Sequence, residues 1–600
     1  MKRKLSSLST GYSLQALRKD LLAGLVVGVI AIPLGMGFAI ASGVKPEYGI
    51  YTTIIAGIIV SMLGGSKFQI AGPTGAFIPV LLGIVMTYGY ENLLIAGILA
   101  GIMLYLMGLF KLGSLIQYIP QSVTIGFTAG IAVTIFTGQL GNLFGLTDME
   151  KHESFIPNMQ EFFTHLPGWS GYSLLTAAIC LGLILLVQRF MPKVPGALVG
   201  LIGSSVIAAL FFPGQVATIG STYGAISNSL PSFQLPSFEI NNWINMLQPA
   251  FVIAMLGGIE SLLSAVVADG MSGDRHDSNK ELRAQGIANI VTPLFGGIPA
   301  TGAIARTATN IKSGAVSKLS GVIHGIVVLL VLLLFAPYAS AIPLAAMAPV
   351  LMLVAWNMSE RKEFAHILST RTGDSIILVV TFLLTVFANL TLAVEVGLLV
   401  AVLLFVKRAG DTLQVKKELP DHSDDEHKMT TTMVTEQHDC PQVSIYTLNG
   451  PLFFGATRTF NAMIDEAMER NPKVIVIRLR SVPYMDMTGA GMFAKGVRRM
   501  QQQGTTVLVA GVQEQPGQLL SCAGASALIG ESGFFERTYE AVKHATTLVN
   551  QQHCAGCHQF AFQECDGLGC SARGALSRHE HRKDQHREPA AVMTSAGGTI

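Results

Sequence analysis

Ile70-Ala71-Gly72-Pro73-Thr74-Gly75-Ala76-Phe77 is a short apolar stretch broken by glycine and proline, and Gly297-Ile298-Pro299-Ala300-Thr301-Gly302-Ala303-Ile304-Ala305-Arg306 repeats its design in the second half of the hydrophobic region. Each break predicts a half-helix that begins midway through a bilayer. The first N–H groups of such a helix have no intrahelical acceptor, so its positive dipole end can face an anion. Two matched half-helices at the midplane, shielded from lipid, are the layout of a secondary transporter. A single break would equally suit a kink in a packed membrane helix.

The composition points the same way. Half of the 600 residues are hydrophobic, 13% are charged and the net charge is +2. The mean hydropathy is +0.49, far from that of a soluble chain. Such a near-neutral balance gives no basis for a nucleic-acid partner. The basic start Lys2, Arg3, Lys4 leads through a polar stretch to a full-length span, which predicts no cleavable signal peptide and a cytoplasmic N-terminus.

Hydrophobic runs punctuated by Gly, Pro and charge predict fourteen membrane segments, starting near Asp20, Glu47, Ile70, Asn92, Pro120, Tyr172, Pro195, Gln248, Asn279, Thr301, Ser317, Pro343, Gly373 and Leu392. With the N-terminus inside, the basic residues of the loops and flanks from Lys2 to Arg408 fall on the cytoplasmic side except Lys45 and Lys151, Arg306 lying within a segment. The even count returns the rest of the chain to the cytoplasm. Segment five opens at Ile119-Pro120 and segment twelve at Ile342-Pro343, so the breaks recur in order across two sets of seven. Seven is odd, and the repeat is therefore inverted.

Two charges fall inside this apolar region. Arg306 is expected about a turn and a half into segment ten, where a charge costs roughly 2.5–3.5 kcal/mol unless it faces a cavity or a partner. It is the candidate for anion attraction. Glu260, in Leu256-Gly257-Gly258-Ile259-Glu260-Ser261, shares a helix face with Ser264 one turn later. A carboxylate there pairs with a cation or takes up a proton, so Glu260 and Ser264 are candidates for coupling to H⁺ or Na⁺. A fixed Glu260–Arg306 structural pair is the alternative.

Taken together these residues resemble the SulP anion permease family, the bacterial relatives of animal solute carrier family 26. The strings that carry the resemblance are Ile32-Pro33-Leu34-Gly35-Met36-Gly37-Phe38-Ala39, Pro46-Glu47-Tyr48-Gly49-Ile50-Tyr51-Thr52, Gly72-Pro73-Thr74, Gly296 to Thr307, Ile342 to Ala348 and Val354 to Glu360. Together they look most like the branch containing bacterial C4-dicarboxylate transporters. The resemblance implies a uracil-permease-like fold with a core domain, segments one to four and eight to eleven, moving against a gate domain. Thr74, Gly75, Ala76 and Phe77 with Thr301, Gly302 and Ala303 would then line the substrate site, their backbone donors facing the anion and Arg306 supplying positive field. It also implies a homodimer. In sodium-coupled bicarbonate members an acid and a hydroxyl on segment eight bind Na⁺; Glu260 and Ser264 match that spacing, although Glu stands where those members have Asp.

The domain reading is a cytoplasmic segment 1–19, a transporter domain 20–410, a charged linker 411–440, an α/β domain 441–550 and a Cys/His-rich tail 551–600. Strands at Val443–Leu448, Val474–Leu479 and Thr506–Ala510 alternate with amphipathic runs Ala456–Arg470 and Thr488–Gln502. This pattern, with Met485-Asp486-Met487-Thr488-Gly489, resembles the STAS domain, which implies regulation or a cytoplasmic protein partner. Thr488 could accept a phosphate at its helix N-terminus, or act only as the N-cap hydroxyl. In the tail, Cys554, Cys557, Cys565 and Cys570 offer ligands for Zn²⁺; a disordered reduced tail is the other reading.

The function these observations support is transport of small anions across the cytoplasmic membrane, with sulfate, bicarbonate and C4-dicarboxylate all suiting a small positive pocket. An uncoupled anion channel or exchanger, and a membrane sensor or scaffold working through STAS, are the competing classes. No catalytic constellation stands out, and no cofactor is required.

Overall fold

The structure is a computed structural model that describes the chain apart from residues 1–12, 115–119, 147–148, 151, 153, 192–193, 237–239, 389, 421–428, 431–433, 435–438, 556, 558, 560 and 569–600. The chain divides into two compact units, Met1–Ala401 and Val402–Ile600.

All fourteen predicted segments are helices: α1 (Leu14–Ala41), α2 (Pro46–Leu63), α3 (Ile78–Tyr88), α4 (Tyr90–Leu109), α5 (Gln121–Gly138), α6 (Gly171–Phe190), α7 (Gly196–Phe211), α8 (Leu247–Ser272), α9 (Ser278–Val291), α10 (Ile304–Lys312), α11 (Leu319–Ser340), α12 (Leu344–Met358), α13 (Gly373–Phe387) and α14 (Leu390–Asp411). Among the described residues, seven helical stretches are long and apolar enough to span a membrane; α3, α7 and α13 are apolar but shorter. Local chemistry sets the starts. Ser13 and Ser170 cap α1 and α6 through their side chains. Pro120 and Pro343 stand extended before α5 and α12, where a missing N–H costs nothing.

The packing obeys the repeat. Helix α4 lies on α9 as α11 lies on α2, α1 on α11 as α8 on α4, and α5 on α13 as α12 on α6. Exchanging each helix for the one seven places away preserves every one of these pairings, as an inverted seven-plus-seven repeat requires. The closest crossings need glycine. A Cβ on Gly49 of α2 would sit 2.0 Å from the Gly35 carbonyl oxygen of α1, and one on Gly286 of α9 would sit 2.7 Å from that of Gly101 on α4.

Between α2 and α3 the chain runs extended through β1 (Ala71–Gly72), and before α10 it runs extended through β2 (Thr301–Gly302). The two pair antiparallel, Ala71 opposite Gly302 and Gly72 opposite Thr301. The half-helices therefore start side by side.

In the second unit, β3 (Gln414–Lys417), β4 (Val443–Asn449), β5 (Val474–Ser481), β6 (Thr506–Ala510) and β7 (Phe534–Phe535) form one sheet in that order. Strands β4 to β7 are parallel and β3 adds antiparallel at the edge. Helices α15 (Thr457–Arg470) and α16 (Met487–Gln502) cover one face around Phe460, Ile464 and Phe493. Two sequence expectations change here. Gln414–Lys417, read as linker, is a strand, because its alternating exposure suits an edge that needs little apolar surface. Part of the expected disordered tail is ordered: Gln551–Cys554 is helical, and Ala561, Phe562 and Cys565 bury against Val443, Val474 and Leu508.

Candidate functional site

Extended backbone at membrane depth must find partners other than water. Side chains supply them. The Asn289 amide pairs with Ala300 in both directions, accepting its N–H at 2.8 Å and donating to its carbonyl at 2.8 Å. Thr52 accepts the Ile298 N–H at 2.7 Å, Thr307 accepts the Ile70 N–H at 3.0 Å, and Asn310 donates to the Phe68 carbonyl at 3.0 Å. A one-way chain runs from the Gly302 N–H to Ser261 Oγ (3.0 Å), to Thr301 Oγ1 (2.8 Å), to the Gly257 carbonyl (3.1 Å). Gln69 closes it by donating to the Ser261 carbonyl at 3.0 Å.

On this scaffold the two charges meet at one turn. Thr74 does not cap its own helix; its hydroxyl donates to Glu260 Oε2 at 2.9 Å. Arg306 is 3% exposed, and its Nη2 donates to the Pro73 carbonyl while Nη1 has no partner. The guanidinium lies against the bare face of Gly72, where a Cβ would come within 2.5 Å of Nη1. Glu260 and Arg306 thus bond to adjacent residues of one turn, Thr74 and Pro73, and no direct ion-pair contact joins them among the described residues. The fixed Glu260–Arg306 pair is not what the geometry shows.

Three expectations are corrected in detail. Arg306 lies in the first turn of α10, not a turn and a half in, because the extended β2 delays the helix start to Ile304. Gly302 and Ala303 are not free donors; their N–H groups go to Ser261 and to the Ile70 carbonyl at 2.8 Å. A short 3₁₀ turn, Gly75–Phe77, opens the first half-helix without a side-chain cap, so Gly75 and Ala76 remain the better placed donors. Ser264 is fully buried and donates to Thr307 Oγ1 at 3.2 Å, apart from the Thr74 contact that Glu260 makes. Phe77 is buried and backs the turn, its ring end 3.0 Å from where a Cβ on Gly257 would stand.

Residues the sequence reading passed over are Gln69, Ser261, Asn289, Thr307 and Asn310. Each is a polar residue in apolar or short helical context, fully or nearly fully buried. That combination was the available signal.

In the second unit Thr488 is exposed at the second position of α16, and the cap is Asp486, whose Oδ1 accepts the Gly489 N–H at 2.6 Å. Thr488 is therefore not the N-cap hydroxyl. Cys554 accepts from Gln442 Nε2 at 3.3 Å, and burial raises the Cys440 thiol, which neighbours Cys554 and Cys557. Cys570 lies outside the described residues, and among those described no group of three or more His, Cys, Asp or Glu has metal-holding geometry. A cavity of about 490 Å³ is lined by Asp411, Lys417, Tyr446, Arg458 and Glu466 among others. Burial, then the Glu466 charge, pushes the Tyr446 hydroxyl up to about 12.

Fourteen helices in an inverted repeat, with two half-helix ends and a buried arginine brought together by a two-residue sheet, define a multi-pass membrane transporter. Residues 17–381 match the sulfate permease family and residues 432–545 the STAS domain, and the chain belongs to that family. It is 52% identical over 526 residues to "Putative sulfate transporter YvdB" of Bacillus subtilis (strain 168), covering 88% of this chain and 97% of that protein. It is 30% identical over 526 residues to "Bicarbonate transporter BicA" of Picosynechococcus sp. (strain ATCC 27264 / PCC 7002 / PR-6), covering 83% and 89%. The murine Solute Carrier 26 family member A9 anion transporter, solved in an inward-facing state, shares the fold with a TM-score of 0.82 at 19% identity, covering 90% of this chain and 93% of that one. These are membrane transporters, not enzymes.

Proposed function

We propose that the chain is a secondary active transporter of a small anion in the cytoplasmic membrane, with both termini in the cytoplasm. Helices α1–α4 and α8–α11 carry the anion past a gate of α5–α7 and α12–α14 in elevator-like alternating access. The observation that carries this reading is Arg306: a buried guanidinium with Nη2 anchored on Pro73, two residues before the uncapped turn Gly75–Phe77, and Nη1 unpartnered against Gly72. An anion there takes Nη1 and the Gly75 and Ala76 N–H groups.

Coupling follows from charge balance. Glu260 and Arg306 neutralise each other around the turn, so an added anion leaves a net negative charge in a medium that penalises it. A cation entering with the anion offsets it, and Glu260 is the group to receive H⁺ or Na⁺. The burial of Ser264 against Thr307 makes it a ligand only if that contact opens. The candidate cargoes are sulfate and bicarbonate, from the names of the relatives, and C4-dicarboxylate, from the sequence resemblance. A homodimer, and a STAS domain that regulates transport or binds a cytoplasmic protein, complete the reading.

The test is uptake of labelled sulfate, bicarbonate and succinate by proteoliposomes under imposed pH and sodium gradients. Saturable, gradient-dependent uptake of one anion is expected. Anion current without a fixed coupling ratio would replace the transporter with a channel.

A further inference from the structure

Helices α5 and α12 are equivalent in the repeat, and each starts after an Ile-Pro pair, Ile119-Pro120 and Ile342-Pro343. Ile135 and Met358 lie fifteen residues after those prolines and so occupy the same place in the two halves. The structure brings both to one point. A Cβ on Gly75 would stand 2.9 Å from Met358 Sδ and 3.2 Å from Ile135 Cδ1. The equivalent glycine of the other half-helix is covered differently: a Cβ on Gly302 would collide with the Gln69 amide at 1.7 Å, from within the core domain itself.

The two half-helix ends are thus unequal. The second is closed by polar groups of its own domain. The first presents its uncapped Gly75 and Ala76 to a wall made of Ile131, Ile135, Leu351, Ala355 and Met358, which pack with Ala76 and Phe77 in one hydrophobic cluster. Ile135 is 2% exposed and Met358 is half-buried, packed against that cluster. The wall's position on α12 is set just beyond Met358, where Glu360 turns through the left-handed region at φ 40° and Arg361 stacks 3.5 Å over the Trp356 ring. A non-glycine residue held there stores strain that fixes the direction in which α12 ends.

We propose that Ile135 and Met358, the matched tips of α5 and α12, form an apolar seal over the Gly75 end of the anion site, and that their bulk stops small anions from slipping past the gate while the core is at rest. An anion crossing a constriction of isoleucine, leucine and methionine must shed its hydration with nothing to replace it. An anion on the Gly75 side keeps N–H and guanidinium partners. Cargo then crosses only when the core carries it. This inference rests on the transporter reading above.

The full chain in proteoliposomes provides the test, with nitrate and chloride as leak probes under a potassium diffusion potential and labelled sulfate, bicarbonate and succinate as cargo probes. The double variant Ile135→Ala/Met358→Ala should raise nitrate leak about tenfold over wild type, and Met358→Leu, which keeps the bulk, should leave it unchanged. In a separate experiment, Met358→Cys should react with an anionic methanethiosulfonate reagent more slowly when the transported anion saturates the site. A double variant as tight as wild type, or equal leak from Met358→Leu and Met358→Ala, overturns the seal. Wild-type vesicles that take up none of the three cargo anions overturn the transporter reading instead, so the two failures are told apart.

Discussion

Arg306 divides its guanidinium between two tasks: Nη2 holds the Pro73 carbonyl and Nη1 is left for something else. A lysine has one compact ammonium and cannot hold the turn and face the site from a planar fork. Arg306→Ala should reduce uptake by about a hundredfold, as expected when a buried charge-assisted contact to the cargo is lost, and Arg306→Lys should recover only a small part. Labelled-anion uptake with size-exclusion profiles of the solubilised variants checks both, and wild-type rates in Arg306→Ala would remove the residue from the site. Glu260→Gln keeps an oxygen for Thr74 but loses the charge. It should leave anion binding measurable and abolish the dependence of uptake on the H⁺ or Na⁺ gradient; an unchanged gradient dependence would take coupling away from Glu260. Both residues were legible in the sequence because an intramembrane charge is rare enough to stand out. What they touch was not, because Pro73 and Thr74 lie more than 180 residues from either and only folding selects among such distant partners.

The half-helices show at the scale of elements why the breaks could be read and their edges could not. Pro73 and Pro299 announce an interruption, but where helix resumes depends on which backbone groups the surrounding side chains satisfy. The chain stays extended through Thr301-Gly302 because Asn289 pairs both polar groups of Ala300 and Ser261 accepts from Gly302. Helix α10 therefore starts at Ile304 and Arg306 moves to its first turn. Replacing Asn289 by Leu leaves the Ala300 N–H and carbonyl unpaired at membrane depth, at about 1–3 kcal/mol for each orphaned group. The variant should lose several degrees of thermal stability in detergent and lose transport even where it is folded at low temperature. Asn289→Asp, which retains the acceptor but not the donor, should fall between. Equal stability of wild type and Asn289→Leu would show that β2 does not depend on that amide. The same reasoning separates Thr488 from the N-cap reading: Thr and Asp both suit an N-cap, and the sequence does not say whether Asp486 or Thr488 takes it.

At the scale of the whole molecule, each of the two units is held by hydrophobic clusters of its own. The membrane unit is assembled by repeat-related pairings in which helix backbones approach through glycine, so its stability is spread over many crossings. The second unit has a conventional water-soluble core, with Phe460, Phe493, Ile464 and Leu448 buried between sheet and helices. Its strand and helix periods differ by nearly a factor of two, which is why its elements could be placed from sequence closely. The edge strand Gln414–Lys417 escaped because half of it faces solvent and it carries no apolar alternation. Separate cores predict separate unfolding. Phe460→Ala removes a fully buried ring that packs 5.8 Å from Phe493, a change that costs about 3–5 kcal/mol. Calorimetry of the solubilised full chain should show the STAS transition moving down by many degrees while the membrane-unit transition holds its temperature. One transition displaced as a whole would mean that the units unfold together, and the loss of a single soluble ring would then destabilise the anion site as well.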